Sequence, residues 1–211
     1  ALPVGKLVCA SNANNVLTDF IRTGTYNKNR PFHTTASPSM DILVSSNLER
    51  LLYALCGSDT EVADYMQQLR EQGSYTVSDE LKAKIQATFA GGFNDIQTRE
   101  KIGHAWRDHR YLIDTHTAVA YHVLDDYRSE TGDRTPTVVV STASPFKFCD
   151  QVLRGIGGTA DAFGPALIRR LSCETQIDAP APLTGLDARP ARFGGCVDKA
   201  QMLHTVDEFL K

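Results

Sequence analysis

The sequence lacks several features that would narrow its function at once. No apolar run approaches the roughly 20 residues that a membrane-spanning helix needs, so we expect no membrane partner. Positive charge is not in excess, because 22 lysines and arginines stand against 25 aspartates and glutamates and the net charge is −3. Nucleic-acid binding depends on a basic patch, so we expect no nucleic-acid partner either.

Motifs for metal binding and redox chemistry are also missing. The five cysteines include no CxxC pair, and the six histidines include no HExxH motif. Free cysteines are usually structural, so we expect reduced thiols, a cytoplasmic location and no metal site. The first residues, ALPVGK, have neither a basic stretch nor a long apolar one, so we expect no signal peptide.

What the sequence does contain is an alternation of apolar strands and helices. Residues 5–10, 41–45 and 137–142 are short apolar runs, each followed by polar capping residues and a helical pattern. The run TVVVST at 137–142 is rich in β-branched residues and does not alternate, which is typical of a parallel strand buried on both faces. This order predicts an α/β fold with a mostly parallel sheet flanked by helices. The length of 211 residues suggests one large domain or a domain and a half.

A largely helical stretch follows the second predicted strand, and we interpret it as a helical insertion at about residues 58–110. Its first helix begins with a capping box from Ser58 to Glu61. Apolar residues then recur at helical spacing: Val62, Tyr65, Met66 and Leu69. Such a face normally packs into the core, whereas its exposure would favour a helical interaction protein.

Further helices are predicted along the rest of the chain. They cover residues 78–90, 94–107, 112–131 and 145–154. The first of these carries Phe89 on its apolar face and is expected to end before Gly91 and Gly92. The GIGG run after the last of them is interpreted as a helix C-cap, because a dinucleotide-binding turn precedes its helix. A final amphipathic helix over residues 202–210 is expected to pack back on the domain.

Small polar residues follow each predicted strand: Ser11 and Asn12, Ser46 and Asn47, and Thr142. In a parallel sheet these positions share the carboxyl edge, where ligands of open α/β folds bind. Hydroxyls, amides and free helix N–H groups at that edge favour a small anion such as a phosphate or carboxylate. Ordinary helix capping uses the same residue types and is the alternative explanation.

No complete catalytic set is visible in the sequence. There is no GxSxG motif, no Walker A motif and no telling pair of carboxylates. Asp114 and His116 form the one acid–histidine neighbourhood beside a predicted strand end, and aspartate is also a good helix cap. The residues alone therefore predict an α/β domain with a small anionic ligand at its strand ends. A non-catalytic module that binds a small phosphorylated ligand would fit this description.

Four segments together resemble threonine synthase, a fold-type II pyridoxal-phosphate enzyme. They are GKLVCASNANNVLTDF (5–20), SPSMDILVSSNLERL (37–51), DTHTAVAY (114–121) and VSTASPFKF (140–148). These segments occur in the family's order, with fitting connections, across nearly the whole chain. One departure is Thr115, which stands where the family usually has proline.

The resemblance implies that residues 1–211 are the C-terminal part of a large cofactor-binding domain with the tryptophan synthase β-like fold. The complete enzyme would convert O-phospho-L-homoserine and water into L-threonine and phosphate, with pyridoxal 5′-phosphate as cofactor. The family's Schiff-base lysine and phosphate-cradling loop lie in the N-terminal half, which would be a missing partner of this chain. Lys147 stands in the wrong segment to be that lysine, so the resemblance implies no catalytic residue here and an inactive fragment.

The resemblance also assigns residues to the site. Thr142 matches the position whose hydroxyl faces the pyridine nitrogen of the cofactor. The weaker candidates for lining the substrate cleft are Ser11, Asn12, Asn15, Ser46, Asn47 and Arg50. His116 is expected near the substrate or behind the residues that contact it. A catalytically silent relative of the family is the alternative to the enzyme.

Overall fold

The computed structural model describes residues 3–93, 97–162, 164–190 and 194–211. The strands are β1 (Leu7–Ser11), β2 (Thr25–Asn27), β3 (Ser74–Thr76) and β4 (Phe89–Phe93). The helices are α1 (Val16–Thr23), α2 (Leu48–Cys56), α3 (Asp59–Glu71), α4 (Asp79–Thr88), α5 (Thr98–His109), α6 (Thr115–Thr131), α7 (Cys149–Gly155), α8 (Ala166–Thr175) and α9 (Met202–Phe209). The mixture of helices and parallel strands confirms the α/β class.

The capping signals in the sequence are realised in the structure. Ser58 and Ser78 begin α3 and α4, and each hydroxyl accepts a backbone N–H bond of 3.2 Å from the residue three positions later. Gly24 and Gly132 adopt left-handed conformations at the ends of α1 and α6, where a side chain would be strained. The starts of α3 and α4 and the ends of α1 and α6 were therefore predictable from their capping residues.

Strand β4 was not predicted, because residues 78–90 read as one helix. The helix ends at Thr88, and residues 89–93 (FAGGF) pair in parallel with β1, with Leu7 opposite Phe89. The two glycines permit this position, since a Cβ on Gly91 would lie 2.9 Å from the backbone of Thr18. Glycine in a strand pattern marks a close approach of this kind.

The predicted strand at residues 41–45 was wrong. The side chain of Tyr26 takes the place of a neighbouring strand, because its hydroxyl donates to Leu43 O at 3.1 Å and accepts from Ser45 N at 2.8 Å. A short 3-10 turn, Pro38–Met40, precedes this segment. The apolar run is therefore held by one buried phenol rather than by a sheet.

The prediction of a buried strand at residues 137–142 was also wrong. Val138 and Val140 are 86% and 70% exposed, and no described strand pairs with this segment. The segment runs back along α6, because Arg128 bonds Thr137 near one end and Thr117 bonds Ser141 near the other. A strand needs a backbone partner, and the described part of the chain does not offer one here.

The helix expected over residues 145–154 is divided. A 3-10 turn at Pro145–Lys147 precedes α7, which starts only at Cys149. Gly155 of the GIGG run is the last residue of α7, and Ile156 and the next two glycines follow as the expected C-cap, with Gly157 at a φ of 91°. The helix expected over residues 94–107 is α5, and its predicted first three residues lie outside the described residues.

Buried side chains form two clusters. The first lies among α1 to α4 and the antiparallel pair β2–β3, where Tyr75 stacks between Tyr26 and Tyr65 with ring centroids 5.4 and 5.1 Å away. Tyr65 and Leu69 of α3 are buried in it. The prediction that the apolar face of this helix packs into the core is therefore confirmed, and the alternative of a helical interaction protein is wrong. The second lies among α5 to α8 and includes Ile102, Val152, Leu153 and Leu171.

Helix α9 does not pack back as predicted. Its apolar side chains are exposed, including Leu203 and Val206. Short 3-10 turns precede α9 at residues 181–183, 186–188 and 199–201. None of the helices in the described ranges is both long and apolar enough to span a membrane.

Candidate functional site

The carboxyl end of β1 carries buried, hydrogen-bonded polar residues. Ser11 is buried, and its hydroxyl lies 3.0 Å from the hydroxyl of Thr18, which also bonds Gly92 O at 2.9 Å. Strand β1, helix α1 and strand β4 therefore meet at one hydrogen-bonded point. Ser11, which was predicted to line the substrate cleft, thus connects these elements through its inward-facing side chain.

Asn12 is fully buried beside it and holds a loop against the strand end. Its Nδ2 lies 2.7 Å from Asp41 Oδ1 and 2.8 Å from Thr35 Oγ1. Asp41 also accepts from Asn14 Nδ2 at 3.1 Å and from the backbone N–H of Thr35 at 2.9 Å. Each buried polar group here has partners, as a stable network requires. The result fixes residues 33–41 across the end of β1.

Asn15 belongs to a neighbouring charged group. Arg30 donates to Asn15 Oδ1 at 3.0 Å and pairs with Asp19 at 2.8 Å. These side chains are partly exposed, unlike those around Asn12. Asn15 therefore belongs to this partly exposed group with Arg30 and Asp19.

His116 reaches this loop from the first turn of α6. The backbone N–H of Ser39 donates to His116 Nε2 at 3.0 Å, and His116 Nδ1 lies 2.6 Å from Asp114 Oδ2. Because a backbone N–H can only donate, the hydrogen-bond pattern assigns the neutral Nδ1–H tautomer to His116. The ring is buried and packs on Phe148, with centroids 4.6 Å apart.

Asp114 is the N-cap of α6 and is fully buried. It accepts the backbone N–H groups of His116 at 2.9 Å and of Thr117 at 3.1 Å, besides the His116 ring and the Thr117 hydroxyl. Burial raises the pKa of this carboxyl. The hydrogen bonds from His116 and Thr117 together lower the pKa by more than burial raises it, so the pKa lies below its usual 3.8. Asp114 is therefore a charged group held by four donors.

The remaining candidates are exposed. Ser46 and Asn47 lie before α2, and Arg50 lines an open groove of about 520 Å³ between α2 and α3. Thr142 is exposed and makes no hydrogen bond within the described ranges, whereas its neighbour Ser141 bonds Thr117 at 3.0 Å. The structure thus brings Asn12 and His116 to the loop at residues 33–41. Ser11 bonds Thr18 and Asn15 bonds Arg30 instead, and the other candidates lie at the surface.

Sequence reasoning missed several residues that organise this region. They are Asn14, Thr35, Ser37, Ser39, Asp41 and Ser141. The available signal was the density of serine, threonine and asparagine at residues 27–39, which read only as a loop. Such a run predicts side-chain hydrogen bonds to backbone, but it does not name the partner.

The cysteines add no nucleophile to this region. All five are unpaired thiols, and Cys149 is buried. Burial raises the pKa of Cys149 to about 11 and also raises the pKa of Cys9, so both remain protonated near neutral pH. Within the described ranges no group of three or more His, Cys, Asp or Glu residues is arranged to hold a metal ion.

Comparison with known proteins agrees with the motifs. A family model for threonine synthase, C-terminal, matches residues 117–208. A threonine synthase from Corynebacterium glutamicum is 38% identical over 163 residues, which are 74% of this chain and 34% of the relative. Human threonine synthase-like 1 is 35% identical over 158 residues, which are 74% of this chain and 21% of that protein.

Solved structures extend the match to the whole chain. The PLP-bound threonine synthase from Brucella melitensis superimposes with a TM-score of 0.77 and 31% identity, over 100% of this chain and 40% of that one. The chain is homologous to the C-terminal portion of threonine synthases. Yeast threonine synthase superimposes on all of it with a TM-score of 0.82 at 25% identity, covering 43% of the yeast chain. The chain therefore has the fold of the solved threonine synthases on which it superimposes, as its motifs implied. It spans about a third of the length of the Corynebacterium relative.

Proposed function

We propose that this chain is the C-terminal portion of a pyridoxal-phosphate-dependent threonine synthase. The complete enzyme would convert O-phospho-L-homoserine and water into L-threonine and phosphate, as a carbon–oxygen lyase in threonine biosynthesis. The observation that carries the proposal is the superposition of the whole chain on a PLP-bound threonine synthase. We expect the chain by itself to be inactive, because the lysine that forms the Schiff base belongs to the N-terminal half.

The residues present fit the cofactor at one position. Thr142 offers an exposed hydroxyl with no hydrogen-bond partner among the described residues, and a hydroxyl can either donate to or accept from a ring nitrogen. Unlike a carboxylate, it does not hold that nitrogen protonated. When bound, pyridoxal phosphate supplies an electron sink for elimination and addition at the substrate. Thr142 would orient the ring and keep its nitrogen neutral.

The other residues of the chain would shape the substrate side. The loop at residues 33–41 is fixed by Asn12 and Asp41, so its backbone has one position. Beyond it, Ser46 and Asn47 stand before α2, and Arg50 follows in its first turn with a fixed positive charge. A hydroxyl, an amide and a guanidinium are suited to bind a phosphate monoester. We propose that these three exposed residues contact the substrate.

The N-terminal half of the enzyme is the proposed partner. The extended segment 137–142 exposes Val138 and Val140, although its sequence is typical of a buried strand. In the described residues it pairs with neither β1 nor β4. A strand from the N-terminal half would complete the backbone hydrogen bonds of this segment and cover its valines. The pairing would also fix Thr142, which ends the segment.

An assay on the full-length enzyme tests the proposal. The full-length protein with pyridoxal phosphate should release phosphate from O-phospho-L-homoserine and form L-threonine, and this chain alone should do neither. Thr142→Asp should change the absorption spectrum of the bound cofactor and reduce turnover, because a carboxylate beside the ring nitrogen would hold that nitrogen in its protonated form. Thr142→Ser, which keeps the hydroxyl, is the matched control.

Two outcomes would contradict this assignment. A full-length protein that binds a phosphorylated amino acid but forms no threonine would favour the non-catalytic relative. An unchanged spectrum and rate in Thr142→Asp would remove the proposed role of Thr142 at the ring nitrogen.

The helical insertion at about residues 58–110 stays a prediction, and this stretch contains β3 and β4 besides its helices.

A further inference from the structure

Two chains of hydrogen bonds converge on the carboxylate of Asp114. In the first, the backbone N–H of Ser39 donates to His116 Nε2 at 3.0 Å, and His116 Nδ1–H donates to Asp114 Oδ2 over 2.6 Å. Both ring nitrogens of His116 are therefore occupied. The imidazole connects the loop at residues 37–41 to a buried charge and has no nitrogen left for a ligand.

The second chain leads to the segment that carries Thr142. The Thr117 hydroxyl donates its one hydrogen to Asp114 Oδ1. The Ser141 hydroxyl lies 3.0 Å from the same Thr117 oxygen, so Ser141 must be the donor in that pair. Ser141 directly precedes Thr142, and its position is thus set by the other oxygen of the same carboxylate.

We propose that Asp114 is a positioning residue that aligns the two sides of the threonine synthase site. One oxygen fixes the loop at residues 37–41 through His116, and the other fixes Ser141 and Thr142 through Thr117. The inference rests on the proposed function, because the two sides are defined as those that face the substrate and the cofactor. The role requires a carboxylate, since both of its oxygens accept hydrogen bonds and an amide offers only one acceptor.

The tautomer of His116 gives a test on this chain without cofactor. ¹⁵N NMR of histidine-labelled protein should show His116 as the neutral Nδ1–H tautomer near pH 7. Asp114→Asn should shift His116 toward the Nε2–H form, because an amide N–H facing Nδ1 needs an acceptor there. Thr117→Val should leave the tautomer as it is, since it breaks only the second chain. A parent His116 in the Nε2–H form would overturn the inference.

The two chains can be separated in the full-length enzyme. His116→Asn keeps a donor toward Asp114 and removes the acceptor for Ser39, so KM for O-phospho-L-homoserine should rise about tenfold, with kcat within about twofold. Thr117→Val should alter the absorption spectrum of the bound cofactor and lower kcat, with little change in KM. Asp114→Asn should show both effects.

Thr117→Ser is the control for the second chain, because it keeps the hydroxyl and should restore the parent spectrum. A merely structural role would make all three variants lose stability without separating KM from the spectrum, and that result would overturn the inference. Failure of the parent enzyme to make threonine would instead contradict the proposed function. The tautomer experiment would then still decide whether Asp114 organises both chains.

Discussion

A Cβ atom added to Gly91 would lie 2.9 Å from the Cα atom of Thr18, so strand β4 and helix α1 touch through their backbones at these two residues. The same Thr18 bonds Gly92 O and Ser11. The contact therefore sets how closely α1 approaches the parallel pair β1–β4. Because Ser11 and Asn12 follow at the end of β1, this approach also positions the polar network of the candidate site.

Substitution of Gly91 by alanine should destabilise the chain. The methyl group would press on backbone atoms, which cannot rotate away, so we expect a loss of about 1–3 kcal/mol in the free energy of unfolding. Urea unfolding followed by circular dichroism measures it. Gly5→Ala is the control, because a Cβ there meets nothing within 4 Å. Equal stabilities of the two variants would contradict the close approach.

Loss of the hydroxyl should change the free energy of unfolding differently for two tyrosines of the first cluster. Tyr26→Phe leaves Leu43 O and Ser45 N without their partner and should cost about 1–3 kcal/mol. Tyr75→Phe should leave stability unchanged or slightly raised, because the Tyr75 hydroxyl is buried and has no partner among the described residues. Thermal and urea unfolding of both variants would test this, and a larger loss for Tyr75→Phe would contradict it.

Asp114 should contribute to the loss of stability in acid. Its pKa in the folded chain is below the usual 3.8, so the folded state favours the carboxylate. The contribution is complete above about pH 3.8 and is lost as the pH falls through the folded-state pKa. Urea unfolding over a series of pH values should show a shallower acid loss for Asp114→Asn than for the parent.

Asp64→Asn is the control for the acid experiment. It makes the same change of charge at an exposed position of α3. We expect its acid dependence to follow that of the parent. If Asp114→Asn followed the parent as well, the buried carboxylate would not be coupled to folding.

The valines of the segment 137–142 should contribute little to the stability of this chain and more to the stability of the full-length enzyme. Val140→Ala should change the free energy of unfolding of the chain by less than about 0.5 kcal/mol, because the side chain is exposed. Val152→Ala, at a fully buried position of α7, should cost about 2 kcal/mol. In the full-length enzyme the cost of Val140→Ala should rise toward that of Val152→Ala. An unchanged small cost there would contradict the proposed strand pairing.

Local signals in the sequence were sufficient for most helices. Ser58, Ser78 and Asp114 each bond the first turn of the helix that they were expected to cap. The stripe with Tyr65 and Leu69 was correctly placed in the core, because a helical period fixes which residues share a face. These features depend on residues within one or two turns of each other.

The strands were less predictable, because a strand exists only through its neighbour. Residues 41–45 and 137–142 have the composition of strands, yet one is held by the Tyr26 hydroxyl and the other has no described partner. Residues 89–93 contain two glycines and nevertheless pair with β1. Composition describes the tendency of a segment, and pairing depends on what lies beside it.

The sequence by itself determined the resemblance to threonine synthases, the α/β class and the candidates Ser11, Asn12, Asn15, His116 and Thr142. It did so because motif order and capping chemistry are written in contiguous residues. Only the tertiary structure revealed that Asp41 accepts hydrogen bonds from Asn12, Asn14 and Thr35. It also revealed that chains of hydrogen bonds connect Asp114 to both Ser39 and Ser141. Those partners are separated by up to about a hundred positions, and hydrogen bonds between them form only once the fold has brought them together.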